Sequence, residues 1–425
     1  MKIDYIYPSK EIWHDTWSTG KGWVLTMERM RVLQHTFAVN LKNHTDIFEY
    51  LKNPESDFVL VFGPSHFMDF LLDSIPKRGI WHELKVPSVC ICGESIRDSL
   101  IPGYIKKASN AFHCFDYFLC ADERDLTFFG DKINRVSFLP GWLDGREFKS
   151  KIPIKERKNQ LFFFGKVNNF GIKGLYEERK RLLNKLLAEK LIDYVSKYIA
   201  TYDSPEELVN LLNSYTATIN LPTNNGAYTQ RVYEAMACET LIFQYRLANQ
   251  PICSNLFKEY QHYVPYDLDD FPKLVEEINY YLKHINDLEK ITIQAREEVL
   301  AKHTIEQRLN QIIKFVETGE KIEYQLLPEL KPQKDNKLAI YSYHKVESYR
   351  AKYSGPIIVV DGVFFQLYST GIARVWRSLL QEWAKTELIK HIVILDRAVT
   401  TPEIPGLWYR QIPAYSYNNT DADKQ

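Results

Sequence analysis

The sequence has no charge of either sign to spare: 54 Lys and Arg stand against 54 Asp and Glu over 425 residues, for a formal net charge of zero. No basic excess is available for a nucleic-acid backbone, and no acidic block forms a solvating tail. Cysteine is scarce as well. The six, Cys90, Cys92, Cys114, Cys120, Cys238 and Cys253, are scattered inside apolar runs, the setting of buried reduced thiols in a cytoplasmic protein. Cys90-Ile-Cys92 lies in a strand-like run with no second cysteine pair, so it is read as structural and not as a metal site. Long apolar runs are missing too. Nothing approaches the roughly 18–20 residues of a membrane span, and Met1–Pro8 is a short strand pattern carrying Asp4, unlike the long apolar region of a signal peptide. What remains, 25% charged and 45% hydrophobic, is an ordinary globular composition, at a length that calls for two or three cores. Aromatic residues are plentiful at 14%; most belong to cores and a minority would line a sugar or nucleobase site.

Residues 1–150 alternate apolar runs with amphipathic segments. Candidate strands are Lys2–Tyr7, Thr36–Val39, Phe58–Phe62, Ser88–Cys92, Tyr117–Cys120 and Arg135–Leu139. Several are continuously apolar, as strands buried on both faces of a parallel sheet must be. An open α/β sheet follows, ended by the turn Leu139–Gly145. A second unit, 151–318, opens with the strand Gln160–Phe164 and the loop Gly165–Gly171, then a charged helix Tyr176–Lys190. Ser204-Pro205-Glu206-Glu207 reads as a helix start, with Ser204 as cap and Pro205 in the first turn. The strand Ala217–Leu221 comes next, and Leu288–Glu317 reads as long closing helices. Residues 319–355 read as a charged, Pro-bearing linker. Residues 356–425 begin another βαβ unit with strands Pro356–Asp361 and His391–Leu395 around a helix from Gly371, too short to close a doubly wound domain.

The richest stretch is Thr229-Gln230-Arg231-Val232-Tyr233-Glu234-Ala235-Met236-Ala237-Cys238-Glu239. It follows the loop Leu221–Gly226, past the carboxyl end of a strand, where open α/β sheets bind ligands. Arg231 and Glu234 stand at i and i+3 near a helix start and leave the same face. A helix N-terminus offers free N–H groups and partial positive charge to a diphosphate. An arginine there adds a bidentate phosphate contact, and a carboxylate one turn later accepts two ribose hydroxyls. A plain surface Arg–Glu pair would have the same spacing.

The run Arg231-Val-Tyr-Glu234-Ala-Met-Ala-Cys-Glu resembles the nucleotide-sugar signature of group 1 glycosyltransferases. Phe162-Phe-Phe-Gly165-Lys166 is similar to the first strand and loop of their C-terminal domain, and the segments Glu206–Leu221 and His303-Thr304-x3-Arg308 are similar to its other landmarks. The likeness covers roughly residues 155–315 and is nearest the spore-maturation-protein type. It implies an α/β fold of GT-B architecture, two Rossmann-like domains facing a cleft, with the donor nucleotide on the second. Val359–Gly362 through Gly371-Ile-Ala-Arg374 resembles the start of a second such enzyme, so that a further glycosyltransferase domain would share the polypeptide. Two positions depart from the pattern: Gly226 stands where many relatives carry a first glutamate, and Glu239 where they carry glycine.

On this resemblance Gly165, Lys166, Thr229, Gln230, Arg231 and Glu234 contact the donor nucleotide, and Asn224 and Asn225 the sugar. His66 and Glu94, after first-unit strands, are candidates with Arg231 for the catalytic set, as acceptor-side base or sugar contact. Each has an ordinary alternative: a solvated loop lysine, turn-forming asparagines, helix caps. Asp122 and Glu123 share that strand-end position. Asp267-Leu-Asp269 matches a metal-binding pattern but precedes the helix start Phe271-Pro272, so capping explains it and no metal or cofactor is expected. The expected activity is metal-independent transfer, with retention at the anomeric carbon as the family's lean, of a sugar from a nucleoside diphosphate sugar to a saccharide or lipid-linked saccharide in the cytoplasm. Gly226 keeps a second reading open, a degenerate module that binds glycan or scaffolds its neighbour. A nucleotide-sugar epimerase is a third.

Overall fold

A computed structural model describes residues 1–9, 20–39, 44–63, 84–93, 95, 106, 115–126, 135–165, 167, 175–195, 204–223, 227–247, 250–324, 357–367, 371–397, 399–412 and 414–415. The first sheet has six strands: β1 Ile3–Pro8, β2 Leu33–Val39, β3 Phe58–Phe62, β4 Ser88–Cys92, β5 Tyr117–Cys120 and β6 Val136–Phe138. Their order is β2-β1-β3-β4-β5-β6, all parallel. β3, β4 and β5 are buried along their whole length, which is why their sequences are unbroken apolar runs. Helices α1 (Gly22–Arg29) and α2 (His44–Leu51) belong to this unit.

The second sheet is built from β7 Lys158–Phe164, β8 Ile192–Val195, β9 Tyr215–Asn220, β10 Leu241–Tyr245 and β11 Val264–Tyr266, in the order β11-β10-β9-β7-β8, again parallel. Its helices are α3 Leu175–Ala188, α4 Glu206–Ser214, α5 Gln230–Ala237, α6 Phe271–Lys283, α7 Ile285–Lys302 and α8 Ile305–Thr318. In both sheets the chain order reverses next to the first strand, between β1 and β3 and between β7 and β9. A crevice opens at the carboxyl end of such a reversal, because the connections on its two sides leave in opposite directions.

The closing helices divide at His303-Thr304, where Thr304 caps α8 in a complete capping box with Gln307. The division sends α8 back to the first unit: Ile305, Leu309, Ile312 and Phe315 share one core with Ile3, Tyr5, Trp23, Phe58 and Leu60. Arg308, only 1% exposed, secures the crossing. Its Nε donates to the carbonyls of Pro140 (3.0 Å) and Gly141 (3.1 Å), and its Nη2 to Gly141 again (2.9 Å) and to His303 Nδ1 (2.5 Å). The next residues, read from sequence as the start of a linker, lie on the first sheet: Tyr324 Oη donates to the Phe138 carbonyl at 2.7 Å and Ile322 N to Ser137 Oγ at 3.2 Å.

His303 accepts from Arg308, and burial followed by that cation holds its pKa well below the ordinary value; burial likewise lowers His262. Both therefore enter the folded state neutral, whereas the unfolded chain takes up their protons below pH about 6.5. Unfolding binds protons there, so stability is present above that pH and falls as the pH drops toward the folded-state values. The expected loss is up to about 1.4 kcal/mol per pH unit for each histidine. Urea unfolding midpoints at pH 7.5 and 5.5 check this, and a midpoint unchanged over that range contradicts it.

A third sheet, β12 Ile358–Asp361, β13 Ile392–Arg397 and β14 Trp408–Ile412, is parallel in that order, with helices α9 Val363–Leu367 and α10 Gly371–Ala384. Asp361 is clasped by Arg397 through two 2.8 Å bonds. A buried ion pair ties this unit to the first: Lys106 Nζ lies 2.8 Å from Asp396 Oδ2, whose partner oxygen accepts from Thr401.

Candidate active site at the second sheet

The end of β7 and the end of β9 flank the chain reversal, and α5 begins just beyond them. Arg231, in the first turn of α5, bridges the two strands. Its Nη2 donates to the Phe164 carbonyl at 2.7 Å and its Nη1 to Asn220 Oδ1 at 3.1 Å. The guanidinium carbon stands 4.8 Å from the ring centre of Phe163 and 4.6 Å from that of Phe164, a cation–π seat on two aromatic faces. These acceptors and rings are neutral and orient the cation. Buried Arg179, its guanidinium carbon 5.6 Å from the centre of the same Phe163 ring, donates to the carbonyls of Leu221 (3.3 Å) and Pro222 (2.7 Å), fixing the chain as it leaves β9.

Gly165 ends β7 with φ of +123°, a conformation that a side chain strains to adopt, and a Cβ there would stand 3.1 Å from Arg231 Nη2. Glycine thus serves both the backbone and the close approach of the arginine. Thr229 occupies the N-cap of α5, yet its hydroxyl makes no cap bond; it donates to Asn220 Oδ1 at 2.7 Å. The first turn of α5 holds no acidic residue either, so no carboxylate of its own opposes the positive end of the helix. Gln230 turns the other way, its Nε2 donating to the carbonyl of Trp142 in the segment that joins the sheets.

The rest of α5 is interior. Val232, Tyr233, Ala235, Met236 and Ala237 are fully buried, the helix lying against α7 and sharing a core with its Ala295 and Val299. Tyr233 packs so closely on Gly141 that a Cβ there would come within 2.3 Å of the ring. Glu234 is 7% exposed. It adds to the burial that pushes the Cys238 thiol up to about 12, so this thiol is no nucleophile. At the other end of α5, Arg157 donates to the Cys238 carbonyl (2.9 Å) and the Glu239 carbonyl (3.2 Å), a cation at the negative pole of the helix.

Glu239 has φ of 54°, the left-handed region that glycine enters freely and other residues enter at about 1–2 kcal/mol. That accounts for glycine in the pattern the sequence resembles. The half-buried contact of Glu239 with Arg296, at a long 3.6 Å, returns little. Glu239→Gly is expected to raise stability by about 0.5–1 kcal/mol, relief of strain exceeding the added freedom of the unfolded chain. A lower denaturation midpoint for this variant would contradict it.

Of the sequence candidates, Thr229 and Arg231 meet at Asn220, Gly165 lies against Arg231, Gln230 points to the joint between the sheets, and Glu234 is enclosed. His66, Glu94, Lys166, Asn224 and Asn225 lie outside the described residues. Two other candidates have different duties. Asp122 is engaged by Arg124 at 2.6–3.2 Å. Glu123 reaches across to the second unit, accepting from the backbone N of Ile252 (2.9 Å) and Cys253 (2.7 Å), and its pKa is raised by that burial. Capping by Asp267 or Asp269 is corrected as well: Asp270 caps α6, and Asp267 pairs with Arg246 at 2.5 Å. Asn220 escaped the sequence reading. A buried amide ending an otherwise β-forming run, immediately before Leu-Pro, was the available signal.

Comparison with known proteins agrees with this fold. A family model described as Glycosyl transferase-like matches residues 179–314. The crystal structure of Anabaena Alr3699/HepE in complex with UDP and glucose is similar to this chain with a TM-score of 0.51 at 10% identity, covering 75% of this chain and 99% of the other. The complex of that protein with UDP-glucose gives 0.50 at 11% identity, over 75% and 99% of the two chains. The complex with UDP gives 0.50 at 11%, over 75% and 100%. No curated protein matches. Residues 179–314 thus carry a glycosyl transferase-like domain, and the chain has the GT-B fold.

Proposed function

We propose that this protein is a glycosyltransferase that moves a sugar from a nucleoside diphosphate sugar to a saccharide or lipid-linked saccharide, in the cytoplasm and as a step in polysaccharide synthesis. The observation that carries the reading is Arg231, a cation held by neutral partners over the chain reversal of the second sheet, at the open N-terminus of α5. The UDP and UDP-glucose bound by Alr3699/HepE suggest a uridine diphosphate donor. In the reaction the bond from the anomeric carbon to the diphosphate oxygen breaks and one to an acceptor hydroxyl forms. Arg231 and the first N–H groups of α5 take up the charge that develops on the departing diphosphate, an electrostatic contribution that grows toward the transition state. Glu234 holds the ribose, Gly165 and Lys166 line the diphosphate, Asn224 and Asn225 the sugar. His66 and Glu94 face the acceptor, and retention at the anomeric carbon accompanies the family likeness. The division at residues 150, 318 and 355 belongs to the same reading, with residues 356–425 the opening part of a second such enzyme.

Because the arginine and the helix supply the positive charge, donor binding is expected to persist in excess EDTA. Calorimetric titration of UDP-glucose with and without chelator tests this; binding lost in EDTA and restored by manganese overturns metal independence. One observation favours a non-catalytic module, the enclosure of Glu234 beside Cys238. Radiolabelled transfer or hydrolysis across the common nucleoside diphosphate sugars separates the two, since a scaffold turns over none.

A further inference from the structure

Asn220 ends β9 with no surface exposure, and its side chain is the meeting point of the candidate site. Its Oδ1 accepts from Arg231 Nη1 (3.1 Å) and from Thr229 Oγ1 (2.7 Å). Its Nδ2 donates to Gln244 Oε1 at 2.7 Å, and Gln244 Nε2 donates to the Tyr245 carbonyl at 2.6 Å. The chain of bonds begins at a group that can only donate, a guanidinium, and ends at one that can only accept, a carbonyl. Between such ends each amide has a single orientation; turning either one over sets oxygen against oxygen or N–H against N–H. Tyr266 Oη fixes the backbone beneath by donating to the Asn220 carbonyl at 2.7 Å.

We infer that Asn220 is a positioning residue for the donor diphosphate, oriented from behind by Gln244. It aims the Arg231 guanidinium and draws the Thr229 hydroxyl off the helix end, so that the first turn of α5 is presented to an anion uncapped by that hydroxyl. As a neutral acceptor it does this without spending the arginine's charge, which a carboxylate in its place would pair and cancel. Gln244 is fully buried on β10 and sets the amide from the side away from Arg231. The inference rests on the reading of the site as a diphosphate site.

A double-mutant cycle tests it, with UDP as probe and dissociation constants measured by calorimetry on full-length chains whose fold is confirmed by circular dichroism. Asn220→Ala is expected to weaken UDP about tenfold, as removal of an orienting bond to a charged group does, and to weaken it clearly less in an Arg231→Ala background, because the larger part of its action runs through the arginine and only the release of Thr229 does not. Gln244→Leu, which bonds the Asn220 amide and the Tyr245 carbonyl but neither Arg231 nor Thr229, is expected to shift affinity in the same direction; it also carries the test if Asn220→Ala does not fold. Unchanged affinity in both Asn220→Ala and Gln244→Leu, or equal losses with and without Arg231, overturns the inference. A wild-type chain that binds no UDP or other nucleoside diphosphate overturns the reading of the site instead.

Discussion

With donor saturating, Arg231→Ala lowers kcat by about 10²–10³-fold, the range found when one preorganised donor to a developing oxyanion is removed. The size follows from where Arg231 stands. It is held at 2.7 and 3.1 Å by neutral acceptors and seated on two rings, so no reorganisation is needed as charge gathers on the leaving oxygen. Ground-state donor binding falls less, because only the part of an interaction that strengthens toward the transition state raises kcat. Single-turnover rates with saturating UDP-glucose decide the matter. A rate unchanged in a folded Arg231→Ala chain makes the arginine structural and removes the proposed mechanism.

Arg308→Leu is expected to bring the largest loss of stability. The substitution takes a donor from the carbonyls of Pro140 and Gly141 and from His303 Nδ1, all held at 2.5–3.1 Å inside the protein. Each buried acceptor left without a donor costs about 1–3 kcal/mol, so the sum is several kcal/mol, a large share of what a folded domain has in reserve. The charge itself is already costly, since burial lowers the Arg308 pKa. The loss therefore reports orphaned acceptors and not a missing cation. Chemical denaturation followed by near-UV circular dichroism measures it, and a midpoint within experimental error of wild type refutes it.

Strands buried on both faces were plain in the sequence. Phe58–Phe62, Ser88–Cys92 and Tyr117–Cys120 announce themselves by unbroken apolarity, and the fold class follows from their alternation with helices. Edges were not. β8, at one edge, is short and carries Asp193 and only partly buried residues after Ile192, and β11, at the other, contains Pro265, tolerated because an edge strand can dispense with one ladder donor. Neither looks like a strand until its neighbour is known. The same limit applies to the site. Arg231 was visible through local spacing on one helix, but Asn220 and Gln244 lie on separate strands and acquire meaning only when the sheet brings them to 2.7 Å. Three of the buried arginines, Arg157, Arg179 and Arg308, were hidden for the same reason. Their partners are backbone carbonyls from distant segments, on which sequence leaves no mark.

The return of α8 to the first unit bears on how such a chain can change in heredity. The helix is encoded after the donor site, yet Leu309, Ile312 and Phe315 fill the core beneath β1 and β3. An exchange of halves between related genes at the turn near residue 145 would deliver a foreign helix into that core. Viable hybrids must instead cross over twice, before the donor half and again ahead of Thr304, so that each first unit keeps the helix that fits it.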